Sequence, residues 1–98
     1  MTKAYLVGQI RVTNPQAYAV YSEQVPKIIE AYGGKYLVRG GAVSVLEGQS
    51  QDGRHVVIEF PNREAAQAWY NSDAYQAILP HRTNNSTGTL LLINGYPL

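Results

Sequence analysis

Cysteine is absent from the 98 residues, which removes disulfides, thiolate metal sites, iron–sulfur clusters and cysteine nucleophiles together. Charge is scarce: Lys, Arg, Asp and Glu make up 15% of the chain, and eight basic residues against seven acidic ones leave a net +1. No basic block stands out, so neither a nucleic-acid footprint nor a membrane-surface patch is expected. No apolar run approaches the ~18–20 residues of a membrane span. Met1-Thr2-Lys3-Ala4-Tyr5 has neither the apolar core nor the cleavage site of a secretory signal, and a cytoplasmic setting is expected. The two histidines, His55 and His81, lie far apart with no carboxylate at ligand spacing, so no metal site is expected. Gly33-Gly34 and Gly40-Gly41 form neither a phosphate-cradling loop nor a dinucleotide fingerprint, and no nucleophile elbow occurs. Cofactor-free chemistry or simple binding is what remains.

What is present suits one globular domain over residues 1–98, with 45% hydrophobic residues and a length near the common domain size of ~100–150 residues. A small domain with so little charge leaves apolar surface in want of a partner, which favours a homo-oligomer.

Residues 4–12 alternate as a strand does, with Tyr5, Val7, Gln9 and Arg11 on one face and Leu6, Gly8, Ile10 and Val12 on the other. Asn14-Pro15 reads as an N-cap followed by a first helical residue whose missing N–H costs nothing. Tyr18, Tyr21, Val25, Ile28, Ile29 and Tyr32 then recur every three or four residues, marking one helical stripe. Pro26 is expected to kink or split this helix near Val25, and Gly33-Gly34 to close it.

Residues 35–39 and 43–47 read as one bent strand or two short ones, broken at Gly40-Gly41. A polar loop with an Asp52-Gly53 turn signal leads into a third strand over residues 55–60. Val56, Ile58 and Phe60 fall on one face of it, His55, Val57 and Glu59 on the other. Asn62 caps a second helix, with Glu64 in its first turn and Ala65, Ala66, Ala68 and Trp69 on its apolar side. Asn71-Ser72-Asp73 breaks or re-caps that helix, which resumes over residues 74–82. A fourth strand covers residues 89–94. Sliding the chain by 48 positions lays Asn14 on Asn62, Ile10 on Ile58 and Tyr21 on Trp69. This soft repeat supports the order β-α-β-β-α-β.

The expected fold is α+β and ferredoxin-like: a four-stranded antiparallel sheet with two helices on one face. Helices belong on the face with Leu6, Ile10, Val56, Ile58 and Phe60. The opposite face is too apolar for water and too polar for a helix-covered core. Two such faces closing on each other, a dimeric α/β-barrel, would bury the apolar part and enclose the polar part. A base-stacking platform of the RNA-recognition kind is missing there, since the third strand offers His55, Val57 and Glu59.

Six residues are candidates for a ligand site: Gln9, Arg39, Glu59, Trp69, Tyr75 and Arg82. Arg11 and Glu59 match in the repeat and could form a cross-strand ion pair, or Arg11 could hold Glu59 as a base or ligand acceptor. Arg39, beside a glycine bend, could offer its planar fork to a carboxylate ligand, or pair with Glu47 or a second subunit. Trp69-Tyr70 and Tyr75 could wall a pocket with Arg82, or merely dock the two helix pieces. Tyr18, Tyr21 and Tyr32 sit at core spacing.

The stretches Ala31-Tyr32-Gly33-Gly34-Lys35-Tyr36-Leu37-Val38-Arg39-Gly40-Gly41, Leu46-Glu47-Gly48, Val57-Ile58-Glu59-Phe60-Pro61, Ala68-Trp69-Tyr70-Asn71-Ser72 and Tyr75-Gln76 resemble the bacterial domain-of-unknown-function 1330 family, from Tyr5 to Asn94. The resemblance implies a ferredoxin-like domain of the dimeric α/β-barrel superfamily. It brings no reaction with it. Relatives in that superfamily include cofactor-free monooxygenases, decarboxylases and isomerases of small aromatic or keto compounds, but none of their catalytic motifs maps here residue by residue.

Three functions remain: a homodimer that binds and transforms a small polar or aromatic molecule, a non-enzymatic sensor or binding module, and a purely structural dimer. In the first, Glu59 would be the base and Arg39 or Arg82 the anion clamp, with Gln9 and Trp69 as lining.

Overall fold

Alternation along the first strand sets the whole architecture. In a computed structural model, which describes residues 2–50 and 53–97, β1 (Ala4–Val12) pairs antiparallel with β3 (Arg54–Phe60) on one side and β4 (Ser86–Asn94) on the other. A short β2 (Lys35–Arg39) pairs antiparallel with β3 and completes the sheet order β2-β3-β1-β4. Two strand–helix–strand passes put the second pass's first strand beside the first pass's first strand, as a split βαβ fold requires.

Ala4, Leu6 and Ile10 of β1 and Ile58 and Phe60 of β3 are buried. Over them lie Tyr18, Tyr21, Val25 and Ile29 of α1 (Pro15–Ala31), Ala66 and Trp69 of α2 (Arg63–Asn71), and Tyr75 and Ile78 of α3 (Asp73–Thr83). The caps read from sequence are in place. The Asn14 side chain accepts from the Ala17 N–H at 3.2 Å and that of Asn62 from the Ala65 N–H at 2.7 Å. Gly33 turns the chain out of α1 with φ +82°, a conformation that favours glycine. Gly34 has to stay bare, because an added Cβ would stand 2.6 Å from Ile29 and 2.7 Å from the Phe60 ring.

Three expectations need correction. The helical layer holds three helices rather than two, since the Ser72 hydroxyl accepts from the Tyr75 N–H at 3.2 Å and starts α3 afresh. Residues 43–47 form no strand; β2 ends at Arg39, and Gly40 (φ +73°) turns the chain away from the sheet. The Asp52-Gly53 turn signal rests on Asp52, which lies outside the described residues.

The third correction concerns α1, which runs through Pro26 without splitting. Proline deprives the carbonyl one turn back, that of Ser22, of its helical donor. The Arg39 guanidinium supplies a replacement, donating to the Ser22 carbonyl at 2.8 Å. This predicts a coupling. Arg39→Met will cost about 1 kcal/mol of stability. The cost will be distinctly less in a Pro26→Ala background, where the restored backbone N–H serves that carbonyl instead. Urea denaturation of the four chains measures it; an equal cost in both backgrounds would contradict the assignment.

Candidate functional site

Between the helix-covered face of the sheet and helices α1 and α3 the packing leaves a cleft of about 460 Å³, its open mouth included. The sequence produces this space at a definite point. Gly8 sits in register between Val56 and Leu90 and brings no side chain to the floor, while Ile10, Val25, Val56, Ile58 and Leu90 make the surroundings apolar. Aromatic walls come from Tyr18, Tyr21, Tyr36 and Trp69. The polar lining is Ser22, Arg39, Arg54 and Arg82, and among the described residues no carboxylate lines the cleft.

Each arginine is held differently. Arg39 donates to the Ser22 carbonyl and lies 4.8 Å over the Tyr36 ring. Arg54 lies against Gly40, where an added Cβ would come 3.4 Å from its Nε. That Nε is buried and has no hydrogen-bond partner among the described residues. Arg82, from the last turn of α3, stands 5.8 Å from the Tyr21 ring centroid, and its Nε is likewise buried and unpartnered among the described residues. Burial works against the Arg82 charge, yet the oxygens of Tyr75 and Tyr21 outweigh it and raise its pKa. Arg82 stays a cation.

The aromatic wall is continuous. The Trp69 ring lies 4.1 Å from that of Tyr75 and 5.6 Å from that of Phe60. The Tyr21 and Tyr75 hydroxyls share a hydrogen bond of 2.9 Å. The Trp69 indole N–H is buried with no acceptor among the described residues, an uncommon state for a buried donor. Burial raises the pKa values of Tyr18, Tyr21 and Tyr36, and Tyr75 pushes that of Tyr21 up further. These phenols are neutral donors at any physiological pH.

The opposite face of the sheet is a different surface. Tyr5, Val7, Gln9 and Arg11 of β1 share it with His55, Val57 and Glu59 of β3 and Thr89, Leu91 and Ile93 of β4. The Glu59 carboxylate accepts from the Lys3 ammonium at 3.3 Å and the Tyr5 hydroxyl at 3.3 Å, with the Lys35 ammonium at 3.5 Å. Desolvation pulls its pKa upward, but Lys3 and then Lys35 outweigh that and hold it below the usual carboxylate range.

The cross-strand Arg11–Glu59 pair does not form. Antiparallel pairing sets Glu59 opposite Tyr5, while Arg11 stands opposite Thr87 toward the other end of β1. Residues that match in a repeat point along opposite strand directions here, so matching does not mean meeting. Nor does Arg39 bridge to Glu47; it donates to Ser22. Of the six candidates, Arg39, Trp69 and Arg82 line one cleft and Tyr75 packs behind Trp69. Gln9 and Glu59 lie on the other side of the sheet.

Sequence reading missed Arg54 and Tyr36. Arg54 precedes Val56 by two residues and so belongs to the helix-covered face of β3, a signal present in the alternation but hidden by the polar loop before it. Tyr36 gains its place from pairing opposite Ile58. Among the described residues no group of three or more His, Asp or Glu side chains could hold a metal ion, and no helix is long and apolar enough to cross a membrane.

Solved structures share this fold. RPA0582 from Rhodopseudomonas palustris, a protein of unknown function, superposes with a TM-score of 0.75 at 21% identity, over 99% of this chain and 83% of its own. SnoaB from Streptomyces nogalater, a cofactor-independent oxygenase, gives 0.67 at 14% identity, over 100% of this chain and 97% of its own. A protein described as an antibiotic biosynthesis monooxygenase gives 0.52 at 21% identity, over 99% of this chain and 100% of its own. No curated protein matches in sequence. The family model for Domain of unknown function (DUF1330) matches residues 3–96, and the chain belongs to that family.

Proposed function

We propose that this chain is a cytoplasmic homodimer that binds a small aromatic or polar organic molecule in the cleft between its sheet and helices α1 and α3, without a cofactor. The observation that carries this reading is the buried Trp69 indole N–H, without a partner among the described residues, in the wall of an aromatic-lined cleft. Buried donors are left unpaired at a cost of about 1–3 kcal/mol, and a ligand acceptor relieves it. The fold lends support as analogy, since SnoaB and the antibiotic biosynthesis monooxygenase are described as oxygenating enzymes on the same framework. Arg39, Trp69 and Arg82 then contact the ligand and Tyr75 fixes the Trp69 ring.

Gln9 and Glu59 have another task in this reading. Val38, Leu91 and Ile93 are 40%, 54% and 47% exposed on the outer face of the sheet, where Val7 and Val57 extend the same apolar strip. A second copy covers that strip, and Gln9 and the Glu59–Lys3–Lys35 cluster form the polar part of the seam.

Trp69 is the single tryptophan, so its indole N–H gives one isolated resonance in a proton–nitrogen spectrum. Titration with planar aromatic compounds will shift that resonance in a saturable way. A broad panel of such compounds that leaves it unmoved would contradict a ligand cleft.

A further inference from the structure

We propose that the ligand of this cleft is an organic anion: a flat, largely apolar molecule carrying one carboxylate or an equally acidic enol, its negative end held by Arg54 and Arg82. This rests on the cleft being the ligand site and adds the charge and shape of what enters it.

The starting point is a charge imbalance. Arg39, Arg54 and Arg82 line one small cleft with no carboxylate among the described lining residues, in a chain whose net charge is only +1. Gathering guanidinium groups in an apolar cleft costs both desolvation and mutual repulsion. Arg39 has an evident structural use, serving the carbonyl that Pro26 strips of its donor. Among the described residues Arg54 and Arg82 have no carboxylate in an ion pair with them, and each keeps a buried Nε–H with no acceptor. The Tyr21 phenol near Arg82 is kept protonated by burial and balances no charge. The carboxylate of Glu59, which could have done so, lies on the other face of the sheet with Lys3 and Lys35.

The surrounding hydroxyls do not supply the missing charge. Tyr18, Tyr21 and Tyr36 line the same space, and burial keeps their phenols protonated. Arg39, Arg54 and Arg82 line the same cleft as Tyr18. Neutral phenol donors and guanidinium forks together suit an oxyanion, which accepts from both and offers a proton to neither. The rest of the lining decides the body of the ligand. Ile10, Val25, Val56 and Leu90 with the Trp69 ring offer the body of the ligand an apolar bed.

The test compares benzoate with benzamide, a pair alike in shape and different in charge. The Trp69 indole resonance, followed through each titration, gives the affinity and reports whether binding is in the cleft. Benzoate is expected to bind about tenfold or more tighter than the amide, the size of one charge-assisted hydrogen bond. Arg54→Met and Arg82→Met together will erase that preference while leaving benzamide affinity within about threefold. Arg11→Met, on the far face, will leave the preference intact. Thermal melts accompany each chain. Arg82→Lys, which keeps the charge but not the fork, serves should the double variant fold poorly: it is expected to retain part of the preference. Equal affinities for acid and amide with the indole shifting would overturn the anion assignment and leave the cleft as the ligand site. An indole that neither compound moves would overturn both.

Discussion

Trp69→Ala will remove about 3–5 kcal/mol of folding stability, the range for deleting a fully packed aromatic from a core. The ring is 1% exposed and lies within ring contact of Phe60, Tyr70 and Tyr75, so it ties β3, α2 and α3 together. Domains of this size hold about 5–15 kcal/mol in total. The variant will therefore unfold at far lower urea, followed by circular dichroism since the fluorophore is gone. Trp69→Phe keeps an aromatic ring in place and removes the smaller part of the indole, including the N–H that has no partner among the described residues, so it will cost distinctly less. The pair separates the two duties of the residue, because the phenylalanine chain remains folded while lacking the donor offered to a ligand. A loss below about 1 kcal/mol in Trp69→Ala would mean that the ring does not join the three elements as its burial implies.

In the proposed homodimer, Val7→Lys will separate the two copies without unfolding them. Val7 stands at the centre of the outer face, paired with Val57 on one side and Leu91 on the other. In an isolated chain the lysine reaches water and is nearly neutral in its effect on stability. In a seam of two sheets it becomes a buried charge without a partner, and its twin on the second copy lies close by. Uncompensated burial of that kind costs about 3–5 kcal/mol, enough to shift a dissociation constant by two to three orders of magnitude, at about 1.4 kcal/mol for each. Sedimentation at micromolar concentration compares the two chains. An original chain that sediments as one copy, or a lysine variant that stays paired, would remove the second copy from the outer face.

The backbone plan was legible because each element carries its own local signal. Asn14 and Asn62 cap helices at the positions where they follow strand alternation, and Ser72 marks the restart between α2 and α3. The two faces of β1 and β3 followed from period two alone. What the chain order does not reveal is which ends of two strands meet. Glu59 and Arg11 occupy equivalent places in the two halves, and antiparallel pairing carries them apart. The candidate site shows the same division. Trp69 and Arg82 were legible as neighbours because they lie on two short helices joined at Ser72, whereas Arg54 reaches them only through the sheet. Arg39 reads as an anion clamp in the sequence, yet its bond is to the Ser22 carbonyl, which Pro26 sets free in α1. Sequence separation hid that relation; helix geometry explains it.

The most direct test of a ligand site beneath the helices is the structure of this chain with benzoate bound. The ring is expected between the sheet and helices α1 and α3, against Tyr18 and Trp69, with the carboxylate at about 3 Å from the Arg54 and Arg82 nitrogens. Benzoate seated instead on the outer face between Gln9 and Glu59, with the cleft unoccupied, would contradict it.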